Sequence, residues 1–570
     1  MSDRVAFTCN DTPVEVEVAP GESLLSVLRE RLGLDSVKDG CAPQGQCGCC
    51  TVLVDGEARV ACVTPAERVS GRSVTTVEGV AEPTRTALAD AFVATGGSQC
   101  GFCTPGIAMR AASLLARGRT SRVDLDRALA AHLCRCTGWR TVYDAIDRAA
   151  APGDVDTVGE RDLDAAASRA ALEGGVGQAV GPDVVLGHRP FADDVAPRDA
   201  LVAVPRPPGS DAPAVAAAGH WWVLGETLFD ARAAAGKVQG RRTSVADAPP
   251  LTPPPLPGDG VRLATSWVEP AYLEPDASWC EPEGEPFTPL ANGGAFGGKT
   301  TSIAPLAARE LAAATGRPVR VVFAREDVVR LGAKRPPIAA SAAVFLNERV
   351  VKIKGMRAGT FGPVVLPYAL DVQRSWREVA LAGPPVGELR APWAEEHVLV
   401  EGALDAVGAD RSQLVHDARS ASVLLDSCAR EPGGALAGAR VELDVRGALA
   451  SVSVRVAAGD PLDDVVLRSY AIGAAHMALG WVLSESIAVD PQSGEVHDLT
   501  IRSFGIVRPR HMPAVDVSIV DDAGPPLPRA SDAVFAAVAG ATWNAVARAE
   551  GARPESFPAR LSRAATAIRR

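Results

Sequence analysis

The sequence has 570 residues, which is enough for three to five domains and excludes a single small scaffold. With 47% hydrophobic and 22% charged residues, the composition excludes a largely disordered chain. The net charge of −11 without a basic run argues against nucleic acid, and the lack of a membrane-length apolar stretch or a signal peptide predicts a cytoplasmic protein without a membrane partner.

The first 80 residues predict a small α+β domain. Alternating or β-branched residues at 5–8 and 14–18 indicate strands, and a helix is expected at 23–31. Asp55-Gly56 predicts a hairpin, because these two residues accept the positive φ angles of a type I′ turn. Residues 81–150 then predict a helical domain, since apolar residues recur at helical spacing. Its four helices are expected at 84–95, 105–117, 124–133 and 141–150.

The remaining chain predicts connectors followed by a mixed region. Residues 151–180 are weakly patterned and residues 249–258 are rich in proline, so both are expected to be connectors. Beyond them, strand patterns such as 319–323 and 452–456 alternate with helical patterns such as 305–314 and 533–547. This alternation predicts one or two domains of α/β or α+β type.

Ten of the twelve cysteines lie in the first 136 residues, a crowding that indicates metal binding rather than disulfides in a reducing compartment. The first group is Cys41, Cys47, Cys50 and Cys62, and three of them lie on a glycine-rich loop. Glycines let the backbone approach a [2Fe–2S] cluster closely. Cys49 could replace Cys50, although the spacing from Cys47 and the strand that follows favour Cys50. A four-thiolate zinc site and unliganded thiols are the alternatives.

The second group consists of two close cysteine pairs, each in a turn between predicted helices: Cys100 with Cys103, and Cys134 with Cys136. Two packed helical hairpins would bring these turns to one end of the bundle. The Cys-x-Cys spacing is rare in structural zinc sites, which use two to four intervening residues, so iron is favoured.

Three motifs together identify a family. They are Gly40-Cys41-x5-Cys47-Gly48-x-Cys50, Gln99-Cys100-Gly101-Phe102-Cys103-Thr104-Pro105-Gly106 and Cys134-Arg135-Cys136-Thr137-Gly138. They resemble the iron–sulfur part of the molybdenum hydroxylases, which include xanthine dehydrogenase and aldehyde oxidoreductase. The resemblance implies a β-grasp ferredoxin-like domain at 1–80 and a four-helix domain at 81–150, each with one [2Fe–2S] cluster. It also implies that the second cluster lies nearest a molybdopterin, with Gln99 close to the pterin, and that the first passes electrons to a flavin.

The resemblance continues in the C-terminal part. Phe191-Ala192-Asp193-Asp194 is similar to the start of the family's large subunit, and residues 293–299 are similar to its glycine loop beside the metal. This implies a linker and reduced hammerhead-like region at 151–258 and a mixed α/β molybdopterin-binding region at 259–570. Gly294, Phe296 and Gly297 are then cofactor-binding residues.

Two residues receive catalytic roles from the resemblance. Leu389-Arg390-Ala391-Pro392 resembles the family's Arg-x-Pro segment, where Arg390 could hold a carboxylate or polarise a substrate oxygen. Asp532 stands where the family has a glutamate that acts as a base, and its side chain is one methylene shorter. Asp532 also has a structural interpretation, as the N-cap of the helix expected at 533–547.

The expected function is an iron–sulfur oxidoreductase that passes electrons from a molybdopterin site through two [2Fe–2S] clusters to a flavin. The resemblance implies an FAD-binding partner subunit, an aldehyde or N-heterocycle as substrate, and a homo- or hetero-oligomer. One alternative is a degenerate electron-transfer or scaffolding subunit that lacks molybdenum. A remote alternative is nucleotide binding, because residues 293–300 satisfy the P-loop expression, although the proline-containing segment before them is a poor central strand.

Overall fold

A computed structural model describes residues 3–151, 161–236, 247–255, 260–287, 294, 297–359, 362–387 and 389–569. It has the expected α+β multidomain fold. The strands are β1 Asp3–Cys9, β2 Thr12–Val18, β3 Thr51–Val54, β4 Glu57–Val60, β5 Ser73–Thr75, β6 Leu201–Pro205, β7 Val215–Ala217, β8 His220–Gly225, β9 Val261–Thr265, β10 Ala277–Cys280, β11 Val319–Val322, β12 Ile338–Phe345, β13 Val350–Arg357, β14 Asp371–Glu378, β15 Ser427–Arg430, β16 Leu436–Leu443, β17 Leu449–Ala457, β18 Ala514–Ile519 and β19 Ser556–Phe557. The helices are α1 Leu24–Ser26, α2 Glu82–Thr95, α3 Thr104–Leu115, α4 Arg122–Leu129, α5 Arg140–Ala150, α6 Leu163–Gly174, α7 Pro182–Val185, α8 Leu228–Ala235, α9 Ala304–Thr315, α10 Arg325–Leu331, α11 Ala394–Ala406, α12 Ala418–Val423, α13 Asp464–Leu483, α14 Ala530–Glu550 and α15 Arg563–Arg569.

The N-terminal part is a five-stranded sheet with the order β2-β1-β5-β3-β4. β1 pairs antiparallel with β2 and parallel with β5, and α1 continues into a wider turn at Val27–Arg31. The predicted hairpin between β3 and β4 is confirmed, because Asp55 and Gly56 both have positive φ angles, 50° and 77°. The sheet and the helix frame the loop that carries the first cysteine group.

The helical part contains the four predicted helices, α2 to α5, with small shifts at their ends. α3 starts directly after Cys103, with Pro105 in its first turn, where a missing N–H is tolerated. α4 ends at Leu129 rather than at 133, because the chain turns there and Leu133 donates a backbone hydrogen bond to Cys47 in the cluster loop. This turn directs the next two cysteines inward.

Part of the expected connector is a helix. α6 begins after Asp162, whose side chain accepts hydrogen bonds from the next turn, and is followed by Gly175 in a left-handed conformation. Its alanine-rich sequence has a high helix propensity, and the helix packs against α13. A second sheet follows, with the order β10-β11-β6-β8-β7.

The C-terminal part holds the largest core. Two sheets, ordered β14-β13-β12-β9-β19 and β15-β16-β17-β18, surround the long helices α11, α13 and α14. Among the described residues, one helix is long and apolar enough to cross a membrane, namely α13, but it is largely buried inside the protein. Its hydrophobicity is therefore explained by its place in the core.

Candidate metal centres

The first cysteine group converges in the loop between α1 and β3. Cys41, Cys47 and Cys50 lie on this loop, Cys62 lies just after β4, and all four are buried. Cys41 Sγ accepts hydrogen bonds from the backbone N–H groups of Gln44 and Gln46 at 3.1 and 3.4 Å. Hydrogen bonds from the neighbouring thiols Cys47 and Cys62 hold the pKa of Cys41 well below its usual range. These contacts bring the predicted thiols together and place two N–H donors on Cys41.

The second group converges at the start of α3 and the approach to α5. The sulfurs of Cys136 and Cys100 are 3.6 Å apart, and Cys134 contacts both Cys103 and Cys136. Hydrogen bonds from Cys103 and Cys136 hold the pKa of Cys134 well below its usual range. The Thr137 hydroxyl lies 3.1 Å from Cys134 Sγ. All four predicted thiols of this group therefore share one buried site.

Both groups have the donor set of a binuclear iron–sulfur cluster. Within the part of the chain that the structure describes, no three or more cysteine, histidine or carboxylate side chains are grouped to hold a single metal ion. A [2Fe–2S] cluster spreads its four thiolates over two irons, whereas structural zinc draws four ligands to one centre. Four cysteines at each site are the donor set that a [2Fe–2S] cluster takes.

The two groups lie next to each other. Leu133 N donates to Cys47 O at 2.9 Å, and a Cβ built on Gly48 would lie only 2.5 Å from the His132 ring. His132 is buried, and burial together with the nearby Arg110 lowers its pKa to about 3, so the imidazole is neutral. Its Nε2 lies 3.2 Å from the Thr51 hydroxyl. His132 was not predicted from the sequence, where its closeness to Cys134 was the available signal.

The glycine loop reaches the second cysteine group. Gly294 and Gly297 have φ angles of 72° and 87°, and a Cβ on Gly294 would lie 3.3 Å from Cys136 Sγ. Gln99 is also placed here, since its amide donates to Cys136 O at 3.1 Å and to Ser469 Oγ at 2.9 Å. Phe296 lies outside the described residues. Gln99 and Gly294, two of the four predicted cofactor-binding residues, thus lie beside the second group.

The same loop does not have the geometry of a P-loop. A P-loop opens directly into a helix, whereas α9 begins only at Ala304. Lys299 Nζ is engaged with Glu274 at 2.5 Å, and the Thr300 hydroxyl donates to Gly297 O at 2.7 Å. The lysine is therefore committed to a buried ion pair rather than presented to a phosphate.

Arg390 and Asp532 are brought together in the C-terminal core. Arg390 Nη2 lies 2.5 Å from Asp532 Oδ1 and donates to Ser531 Oγ at 2.7 Å. The Ser531 hydroxyl donates in turn to Glu173 on α6 at 2.6 Å. α14 begins at Ala530 with Arg529 as its N-cap, so Asp532 lies in the first helical turn and is not the cap.

A small cavity adjoins this ion pair and Arg135, the residue between Cys134 and Cys136. Its volume is about 40 Å³, room for a few water molecules, whereas sites for larger ligands measure about 300–1,000 Å³. Its charged walls are paired, since Arg135 makes two 2.6 Å hydrogen bonds to Glu485. This cavity by itself is therefore smaller than a site for a pterin.

Comparison with known proteins places these features in a family. Two family models match the chain, a 2Fe-2S iron-sulfur cluster binding domain at residues 7–73 and a [2Fe-2S] binding domain at residues 76–147. The xanthine dehydrogenase iron-sulfur-binding subunit of Escherichia coli O157:H7 is 40% identical over 151 residues, which are 25% of this chain and 94% of that subunit. The aldehyde oxidoreductase of Megalodesulfovibrio gigas is 48% identical over 136 residues, 23% of this chain and 15% of that protein.

The C-terminal part also has a known fold. The crystal structure of the aldehyde oxidoreductase from Desulfovibrio desulfuricans ATCC 27774 superimposes with a TM-score of 0.73, covering 98% of this chain and 99% of that chain at 16% identity. This likeness concerns the fold alone. Because a relative that is 40% identical is matched over 94% of its length, the chain belongs to the molybdenum hydroxylase family and is an iron–sulfur oxidoreductase of that type.

Proposed function

We propose that the two cysteine groups hold two [2Fe–2S] clusters that carry electrons through the N-terminal part of the chain. The ligands of the first cluster are Cys41, Cys47, Cys50 and Cys62, and those of the second are Cys100, Cys103, Cys134 and Cys136. The observation that carries this proposal is the convergence of both groups in buried sites linked by the hydrogen bond between Leu133 and Cys47. A short protein path between two clusters suits electron transfer.

The second cluster faces the C-terminal part, where molybdopterin is the cofactor that the family implies. We propose Gln99, Gly294, Phe296 and Gly297 as the residues that contact it. Arg390 and Asp532 are the proposed catalytic groups. A bound molybdopterin would supply two-electron oxidation of an aldehyde or an N-heterocycle, the substrate classes that the relatives' names indicate. Its binding requires the closed cavity beside Arg390 to open.

The first cluster lies on the outer side and is the proposed exit for electrons. Val63, which directly follows the proposed ligand Cys62, is 56% exposed, so this edge of the cluster site reaches the surface. We propose an FAD-binding subunit as the electron acceptor, within a homo- or hetero-oligomer. The chain carries twelve free thiols, which suits the reducing cytoplasm.

A second candidate function has a specific observation in its favour. The small cavity and the pairing of Asp532 with Arg390 suit a subunit that carries electrons without holding molybdenum. The two candidates share the clusters and differ only in the pterin.

Elemental analysis tests both candidates. The protein is produced with an intact molybdopterin pathway and an iron–sulfur assembly system, and its metals are measured per chain. About four irons are expected from two [2Fe–2S] clusters, and one molybdenum per chain supports the enzyme. Four irons without molybdenum support the electron-transfer subunit instead. Iron near zero with bound zinc contradicts both.

A further inference from the structure

Two N-terminal cysteines, Cys9 and Cys49, belong to neither ligand set, and Cys49 lies inside the first site. A Cβ built on Gly40 would lie 2.8 Å from Cys49 Sγ and 3.2 Å from Cys47 Sγ, so both sulfurs face the same glycine. The side chains of Cys47 and Cys49 are hydrogen bonded to each other. Cys49 is 1% exposed, which excludes water as a competing partner.

Cys49 also lies on the side of the first site that faces the second. A Cβ on Gly106, in the first turn of α3, would lie 2.7 Å from the carbonyl oxygen of Cys49. The extra thiol therefore stands at the junction of the two proposed clusters.

The contacts of Cys62 identify Cys50, and not Cys49, as the fourth ligand. The side chain of Cys62 contacts Cys41 and Cys50, and its backbone N–H lies 3.5 Å from Cys50 Sγ. Cys49 is hydrogen bonded to Cys47, which is itself a proposed ligand. Cys49 therefore lies next to a ligand and is not itself one.

We propose that Cys49 is a non-ligand thiol that donates an S–H hydrogen bond to the Cys47 sulfur and raises the reduction potential of the first cluster. A thiol bound to iron is deprotonated, so in the assembled site only Cys49 has a proton to donate. Reduction adds negative charge to the cluster, and a donor to its sulfurs stabilises the reduced form. The inference rests on the proposed function, because it requires a cluster in the first site.

The test is a redox titration of the purified holoprotein followed by EPR, in which the two clusters give separate signals. Cys49→Ala should retain both signals and lower the midpoint of the first. At the wild-type midpoint potential, we expect the ratio of reduced to oxidised first cluster to fall about three- to tenfold. This change corresponds to the free energy of one modest hydrogen bond to a charged group. Cys49→Ser keeps a donor and should restore part of the shift.

Cys9→Ala is the matched control, since Cys9 is a buried thiol on β1 outside both groups, and it should change neither midpoint. An unchanged first midpoint in Cys49→Ala overturns the inference. Loss of the first signal in Cys49→Ala with its retention in Cys50→Ala also overturns it, because Cys49 would then be the ligand. Absence of iron from the wild-type protein is a different result, which overturns the proposed function and the inference with it.

Discussion

Arg390 Nη2 and Asp532 Oδ1 form a 2.5 Å ion pair in which both side chains are less than a tenth exposed. The pair continues through Ser531 to Glu173 and then to Arg169, which is fully buried on α6. The network contains two arginines and two carboxylates, so its charges balance. In this arrangement the Asp532 carboxylate neutralises a buried cation.

Removing Asp532 should therefore destabilise the C-terminal core. Asp532→Ala leaves Arg390 without its carboxylate in a buried site, and breaking such a pair costs about 3–5 kcal/mol. The loss is measured by chemical denaturation followed by tryptophan fluorescence. Asp516, an exposed residue on β18, provides the control, since Asp516→Ala should change the stability by less than about 0.5 kcal/mol.

Replacing both partners of the ion pair tests its role in stability separately from the proposed role of Asp532 as a base. A double variant with Arg390→Met and Asp532→Leu should recover much of the lost stability, because an apolar pair often replaces a buried ion pair at little cost. Turnover of an aldehyde by the molybdenum-loaded protein then reports on catalysis. If Asp532→Ala retains turnover, the carboxylate is structural and the proposed base role is wrong.

The assignment of four cysteines to each cluster predicts which EPR signal each cysteine variant loses. Cys136→Ser should remove one of two EPR signals and leave about two irons per chain, because it breaks only the second site. Cys62→Ser should remove the other signal. Cys280, a buried cysteine on β10 far along the chain from both groups, serves as the control, and Cys280→Ser should keep both signals. Simultaneous loss of both signals in Cys136→Ser would contradict two independent clusters.

The sequence was most informative where a motif is local. The spacing of the cysteines and the Asp55-Gly56 turn were sufficient to predict both thiol groups and the hairpin, since each depends on a few neighbouring residues. The helix at 530–550 was also expected, although with a later start. Family resemblance supplied the fold of the C-terminal part, which periodicity alone described only as mixed.

Contacts between distant segments were not predictable from the sequence. Glu173 lies in a stretch expected to be a connector, yet it accepts a hydrogen bond from Ser531, more than 350 residues away. Gln99 likewise bonds Ser469 on α13. Such pairs depend on how whole helices pack, and neither partner carries a sequence signal for the other. The pairing of Asp532 with Arg390 was missed for the same reason.

The Lys299–Glu274 pair predicts a pH dependence of stability. Burial raises the pKa of Glu274 from 4.5 to about 7, even though Lys299 lies 2.5 Å away. Between these values the folded protein binds a proton that the unfolded chain has released, so this contribution to stability falls as the pH rises from 4.5 to about 7. Glu274→Gln removes the titration.

Denaturation of both proteins between pH 4 and 8 checks this prediction. The stability of the wild type relative to Glu274→Gln should decrease across that window and level off above it. A difference that stays constant, or that grows with pH, would show that Glu274 is ionised throughout.

The contact between α13 and the second cysteine group gives a final prediction. Gly473 on α13 lies so close to the carbonyl oxygen of Cys136 that a Cβ at this position would overlap it. The oxygen belongs to backbone, which cannot rotate away, so Gly473→Ala must push α13 from the loop that carries Cys134 and Cys136. We expect a changed line shape or partial loss of the second EPR signal, with the first unchanged. Gly177 is the control, because a Cβ built there has no atom within 4 Å, and Gly177→Ala should leave both signals intact. An unaltered spectrum for Gly473→Ala would show that α13 does not support the second cluster.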